Sequence, residues 1–225
     1  MSQEEVVNYD WYMKKGNADL NIGRFANAAI AFMSAAGTER NAYEKACAYQ
    51  MMGVALRLNK DFPEAGIAFG YAMKYVNGND KLWLRIERDI GALLMEQGKL
   101  KEAAERLGKS YKGLLKLKSY TEAATSLGYL GRVEFLKGDK RKAYLLLAEA
   151  DAILRSVGVN GTYELNNLIW LFKRVSLFER IALLPRILRL IRQTGQRRRM
   201  VEVVLLVVGG NWLYDYAKHR RWSGS

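Results

Sequence analysis

A glycine and an alanine twelve residues apart occur four times in this chain, always in the same register. The pairs are Gly16 and Ala28, Gly53 and Ala65, Gly91 and Ala103, and Gly131 and Ala143. Both members step along the chain by 37, 38 and 40 residues. A period of this size marks stacked supersecondary units, each too small to bury its own apolar face without its neighbours. Around every pair the text reads helix, short turn, helix. The turns fall at 21–25, 59–62, 97–100 and 137–140. Gly23, Gly98 and Gly138 sit where the chain leaves a helix and φ turns positive. Lys60 holds that place in the second unit, so its turn must differ or carry strain. After each turn the apolar spacing is helical, as in Ala143, Leu146, Leu147 and Ala150. The expectation for the pair itself is close approach of two antiparallel helices at their smallest side chains. A bulky residue there would overpack the contact by about 1–3 kcal/mol.

These residues resemble the tetratricopeptide repeat (TPR) family. Its motif has a helical Gly with an aromatic four residues earlier, a turn Gly seven later, then an Ala, an aromatic and an Ala at twelve, sixteen and nineteen. Unit one gives Tyr12, Gly16, Gly23, Ala28, Phe32 and Ala35; unit two gives Tyr49, Gly53, Lys60, Ala65, Phe69 and Ala72. Units three and four keep the small residues and place Glu87 and Leu127, then Leu107 and Leu147, where the aromatics belong. The motif's closing proline is absent and the period is longer than the family's. HEAT-like pairing has a similar period but does not account for the fixed Gly–Ala step. The resemblance covers residues 9–158. It implies an all-α, right-handed α-solenoid of antiparallel helix pairs whose first helices line a concave groove.

Residues 1–160 thus read as four helix pairs, and 161–225 as a divergent fifth pair with a basic capping helix at the C-terminus. Residues 163–180 read as one helix, and Pro185 suits the first turn of the next. Ile187, Leu188, Leu190 and Ile191 share one side of that helix; Arg186, Arg189 and Arg192 share the other. The Val-rich stretch after Met200 reads as a helix covering the end of the stack, with a hairpin at 207–212 as the alternative.

Composition limits the chemistry. Half of the 225 residues are hydrophobic and only two are proline, enough to fill a core. No apolar run approaches the roughly 18 residues that span a bilayer. The acidic start has no signal-peptide character, and Cys47 is the only cysteine, so a cytoplasmic setting is expected. One histidine and one cysteine make no metal site, and no cofactor motif is present. Gly108, Lys109 and Ser110 lie within a helical stretch with Ala103 where a phosphate loop needs glycine. The expectation is a non-catalytic protein.

Binding is the better-supported role. The inward positions on first helices lie six and three before each Gly and one and four after it. They give Asp10, Met13, Asn17 and Leu20; Cys47, Gln50, Val54 and Arg57; Arg85, Arg88, Ala92 and Met95; and Thr125, Gly128, Arg132 and Phe135. Asn17, Gln50, Arg57, Arg85, Arg88, Met95, Arg132 and Phe135 are the candidate contacts. Four arginines on one face suit an acidic protein segment or a terminal carboxylate held by forked guanidinium contacts. The carboxylate clamp of chaperone-binding family members would fall on Met13, Asn17, Met51, Arg85 and Asp89. Only Asn17 and Arg85 are compatible, so that clamp is not expected. Net charge is +13, and residues 161–225 hold 12 Lys and Arg against 4 Asp and Glu. The alternative partner is therefore a nucleic acid or an anionic membrane surface, met by Arg186, Arg189, Arg192, Arg197, Arg198 and Arg199. The outer side of the Val-rich helix leaves room for a homodimer.

Overall fold

The computed structural model describes residues 8–208 except 39, 40, 79, 160 and 197. Among them every regular element is a helix: α1 (Tyr9–Asn21), α2 (Phe25–Ala36), α3 (Ala42–Asn59), α4 (Phe62–Lys74), α5 (Lys81–Glu96), α6 (Leu100–Lys116), α7 (Tyr120–Leu136), α8 (Lys140–Ser156), α9 (Thr162–Phe172), α10 (Leu177–Thr194) and α11 (Arg198–Val208). The chain forms two compact units, Met1–Leu146 and Leu147–Ser225, with the division inside α8.

In the first unit each helix packs on the next from α1 to α7, and α3 also meets α5 as α5 meets α7. The first helices of the pairs therefore make one layer. Asparagines start two of them: Asn8 and Asn41 accept the backbone N–H of Trp11 and Glu44 at 3.1 and 2.9 Å. Ala28, Phe32 and Ala35, and their counterparts Ala65, Phe69 and Ala72, are fully buried. In the first three pairs the glycine answers to the residue sixteen later more than to the alanine at twelve. A Cβ built on Gly16 would stand 2.6 Å from the Phe32 ring, and on Gly53 2.6 Å from Phe69. On Gly91 it would stand 2.7 Å from Leu107 Cγ and 3.3 Å from the Ala103 carbonyl oxygen. The motif is a socket for a large side chain, closed off by small ones.

Unit three shows how the pattern can be rewritten. Glu87, in the place of Tyr12 and Tyr49, is 1% exposed. Arg106 of α6 meets both of its oxygens at 3.0 and 2.9 Å, and Lys109 lies 3.8 Å away. The positions equivalent to Arg106 are Ala31 and Ala68, both buried. A Tyr with an Ala has been exchanged for a Glu with an Arg, and the buried carboxylate keeps its counterion. Ser110 replaces the last alanine of the motif and donates to the Leu84 carbonyl at 2.7 Å, with Ser126 Oγ at 2.9 Å. Of the two turn outcomes open for Lys60, strain is the one found: it is left-handed at φ 75, beside Gly23, Gly98 and Gly138 at 81, 79 and 95.

In the second unit α9 packs on α10 and α10 on α11, burying Leu165, Phe172, Ile187, Ile191, Val203 and Leu206. The helix expected over 163–180 breaks after Phe172, and Pro185 lies inside α10 instead of opening it. A capping box supplies the reason. Ser176 Oγ accepts the Glu179 N–H, and the Glu179 carboxylate takes the Ser176 N–H at 2.9 Å, so α10 begins eight residues before the proline. Residues 198–208 are helical, and 209–212, most of the alternative hairpin at 207–212, lie outside the described residues. Arg180 Nη1 caps this helix by donating to the Leu206 carbonyl at 2.9 Å. Asp151 of α8 is 5% exposed and faces Glu164, Arg155, Arg186 and Asn167. Burial, then the charge of Glu164, pushes its carboxyl up to about 7 against the pull of the two arginines.

Candidate binding face

The layer of first helices carries a polar network that the list of inward positions foretold only in part. Gln50 of α3 is 1% exposed and donates from Nε2 to Asp89 Oδ2 of α5 at 2.6 Å. Asp89 Oδ1 receives Arg88 Nε and Nη2 at 2.9 and 2.8 Å. Seven residues along α3, Arg57 is buried on Glu96, whose other oxygen takes Lys60 Nζ at 3.2 Å. Burial works against the Arg57 charge, but Tyr129, Glu96 and Asp89 outweigh it and raise its pKa further, so it is a permanent cation. Both links join residues 39 apart, one more than the 38-residue step from Gly53 to Gly91, and so lie at nearly equal heights on neighbouring first helices.

Arg85 stands at the centre of a second group. It lowers the Glu122 and Cys47 pKa values by its charge. For Glu122, burial raises the pKa, but a hydrogen bond and ion pair from Lys81 at 2.7 Å, with Arg85, bring it below the ordinary value. For Cys47, burial is the largest influence and keeps the thiol pKa raised, which argues against a nucleophilic thiolate. Arg132 lies half-buried with its guanidinium carbon 5.2 Å from the Tyr129 ring centre, a cation–π arrangement.

Set against the sequence, Asn17 is exposed on α1, and Arg85, Arg88, Arg132 and Phe135 are half-buried on α5 and α7. Met95 is not a surface contact. It is 5% exposed and packs with Ala103, Leu107 and Val133, because the last turn of α5 faces α6 and α7. Gln50 and Arg57 are likewise occupied inside the fold, as structural parts of the face. Asp89 enters the sequence reading only as a mismatch to the carboxylate clamp, and Glu96 and Glu122 do not enter it, although the 39-residue step from Gln50 and Arg57 points to two of the three. The face remains cationic: Arg57, Lys60, Lys81, Arg85, Arg88 and Arg132 outnumber Asp10, Asp89, Glu96 and Glu122.

The C-terminal arginines do not form one free surface. Arg186 pairs with Glu164, whose second oxygen meets Arg155 at 3.1 Å. Arg199 binds Glu202 at 2.7 Å and Asn166 at 3.0 Å. Arg189 and Arg192 are exposed on α10, Arg198 opens α11, and Arg197 lies outside the described residues. Among the described residues no group of three or more His, Cys, Asp or Glu could hold a metal ion, and no helix is long and apolar enough to cross a membrane.

Paired helices, the glycine sockets and the left-handed turns define a TPR-like α-solenoid fold. No protein-family model matches this sequence, and neither does any curated protein. Among solved structures, the chain is similar to the Rap conjugation gene regulator of the plasmid pLS20 in complex with the Phr peptide. That likeness has 17% identity and a TM-score of 0.71 over 98% of this chain and 65% of that one. The chain thus spans just under two thirds of that regulator's length. Two structures of a putative kinesin light chain from Podosopora anserina, built of nearly identical TPR-like repeats, match at TM-scores of 0.54. They are 14% and 15% identical and cover 92% and 87% of this chain and 95% and 91% of theirs. At these identities the likeness is one of fold.

Proposed function

We propose that this chain is a non-catalytic protein-interaction scaffold that holds an acidic protein segment along the layer of first helices. The observation that carries the reading is the cationic excess on that layer, held in place from behind. Asp89 fixes Arg88 and Glu96 fixes Lys60, so these positive side chains are oriented before a partner arrives, while buried Arg57 adds its charge from behind. Oriented guanidinium groups lose less freedom on binding carboxylates than free ones. Asn17 and Phe135 would add amide and apolar contacts at the edges of the face. The solved Rap regulator is itself in complex with a peptide, which supports a segment as the partner class. Nucleic acid is the weaker reading, because Arg186 and Arg199 are already committed to Glu164 and Glu202.

Selection of a random peptide library on the full chain, read by fluorescence anisotropy, tests this. Acidic peptides should be enriched, and Arg88→Glu with Arg132→Glu should weaken them at least tenfold, a loss of about 1.4 kcal/mol. Arg189→Glu with Arg192→Glu should leave them unchanged. Enrichment without acidic bias, or equal loss in both variants, would overturn the assignment to this face.

A further inference from the structure

The most exposed large apolar side chain among the described residues is Phe178, in the first turn of α10, at 86%. Helical spacing sets Phe178, Ile181, Ala182, Pro185, Arg189 and Arg192 along one stripe of that helix. All six are exposed, Ile181 by 56%. On the other side Ile187, Leu190 and Ile191 are buried and fill the core. The inner stripe is what packing requires of α10, and the outer apolar stretch is in addition to it.

This outer stripe is ordered along its length. Its first half is apolar and its second half cationic. Among the described residues Arg189 and Arg192 form no ion pair, whereas Arg186, to the side, is held by Glu164. Glu179, the only acid of α10, lies off the stripe and is occupied with Ser176. Just before α10, Arg174 stacks on Trp170 with its guanidinium carbon 4.1 Å from the ring centre. Residues 161–225 as a whole hold 12 Lys and Arg against 4 Asp and Glu.

An occupant must therefore offer an apolar layer and negative charge side by side. An acidic extended segment satisfies the arginines and leaves Phe178 and Ile181 in water. Nucleic acid is bound along a longer track of free cations than two. With so little of its surface covered, Phe178 lines no pocket that a protein side chain could fill, and a fluid layer needs none. We propose that α10 docks this chain on an anionic membrane surface. An interfacial helix buries its apolar side about 5–10 Å into the boundary between headgroups and acyl chains. Phe178 and Ile181 enter that boundary, and the long side chains of Arg189 and Arg192 reach back to lipid phosphates. Each arginine near such a surface strengthens binding roughly fivefold, and burial of the phenylalanine adds about tenfold. The stripe shares no residue with the layer of first helices proposed to hold an acidic segment.

Cosedimentation of the full chain with lipid vesicles tests this. The chain should pellet with an equal mixture of phosphatidylcholine and phosphatidylserine and stay in solution with phosphatidylcholine alone. Added salt should weaken the binding. Phe178→Ser with Ile181→Ser should weaken it by about tenfold, with an unchanged circular-dichroism melt because both side chains are exposed. Arg189→Glu with Arg192→Glu should also weaken it by at least about tenfold. Arg88→Glu with Arg132→Glu changes net charge by the same amount and should leave vesicle binding in place, so position is separated from overall charge and this surface from the peptide-binding face. A chain that ignores the mixed vesicles, or binds them equally with either α10 pair replaced, would overturn the proposal. So would a short DNA duplex that binds as tightly and depends on Arg189 and Arg192 but not on Phe178.

Discussion

Gly53→Ala and Gly108→Ala are the same substitution in the interior of two helices of one unit, and the structure gives them opposite signs. Alanine should stabilise each helix by about 0.5–1 kcal/mol, since glycine loses more backbone freedom on folding. At Gly108 nothing lies within 4 Å of the new methyl, so that gain should appear in full. At Gly53 the methyl would fall 2.6 Å from two atoms of the Phe69 ring. That ring is 0% exposed and walled by Ala46, Ala65 and Ala72, so it cannot swing aside. Overpacking of this kind costs about 1–3 kcal/mol. The two variants should therefore differ by about 1–3 kcal/mol in urea unfolding followed by circular dichroism, with Gly53→Ala the less stable. A double-mutant cycle isolates the cause. In a Phe69→Ala background, itself costing about 3–5 kcal/mol, Gly53→Ala should turn neutral or stabilising. If Gly53→Ala stabilises the wild-type protein as much as Gly108→Ala does, the socket account of the repeat is wrong.

Two further outcomes follow from buried charge. Arg106→Ala should cost on the order of 2–3 kcal/mol by leaving Glu87 with only Lys109 at 3.8 Å. Adding Glu87→Tyr, which restores the arrangement of the first two units, should recover most of it in the same urea assay. Asp151 gives the second unit a pH dependence. Its folded pKa of about 7 lies above the ordinary 3.8, so the folded state binds the extra proton between those values. The contribution of Asp151 should be greatest below about pH 4, fall as pH rises to about 7, and level off above that. Thermal melts across this range should show the slope in the wild type and its loss in Asp151→Asn.

The architecture was legible because its signal is steric and periodic. Gly16, Gly53 and Gly91 must be small wherever a large residue sits sixteen places on, and that requirement repeats in any sequence that folds this way. Pro185 suits a helix start, but the Ser176–Glu179 box satisfies the free N–H groups of a start eight residues earlier, and that start is the one α10 takes. Met95 was assigned to the surface by helical spacing alone, which names a direction but not what stands in it; α6 and α7 cover that side. The binding face was half visible for the same reason. Its arginines could be placed on one helix side, but whether each faces solvent or an acid depends on the neighbouring helix. Only the 39-residue step from Gln50 to Asp89 and from Arg57 to Glu96 carries that information in the chain itself.

That step also bears on how freely the units of this array could be exchanged. In a repeat array of identical parts, one unit can be removed or duplicated and the joints on either side remain equivalent. Here unit two supplies Gln50 and Arg57, and unit three alone supplies the carboxylates that answer them. Excising unit three would set Arg57 against unit four, where Leu136 occupies the position of Glu96. The array is thus a sentence with a fixed word order, and its length cannot be altered at that joint without stranding a buried cation.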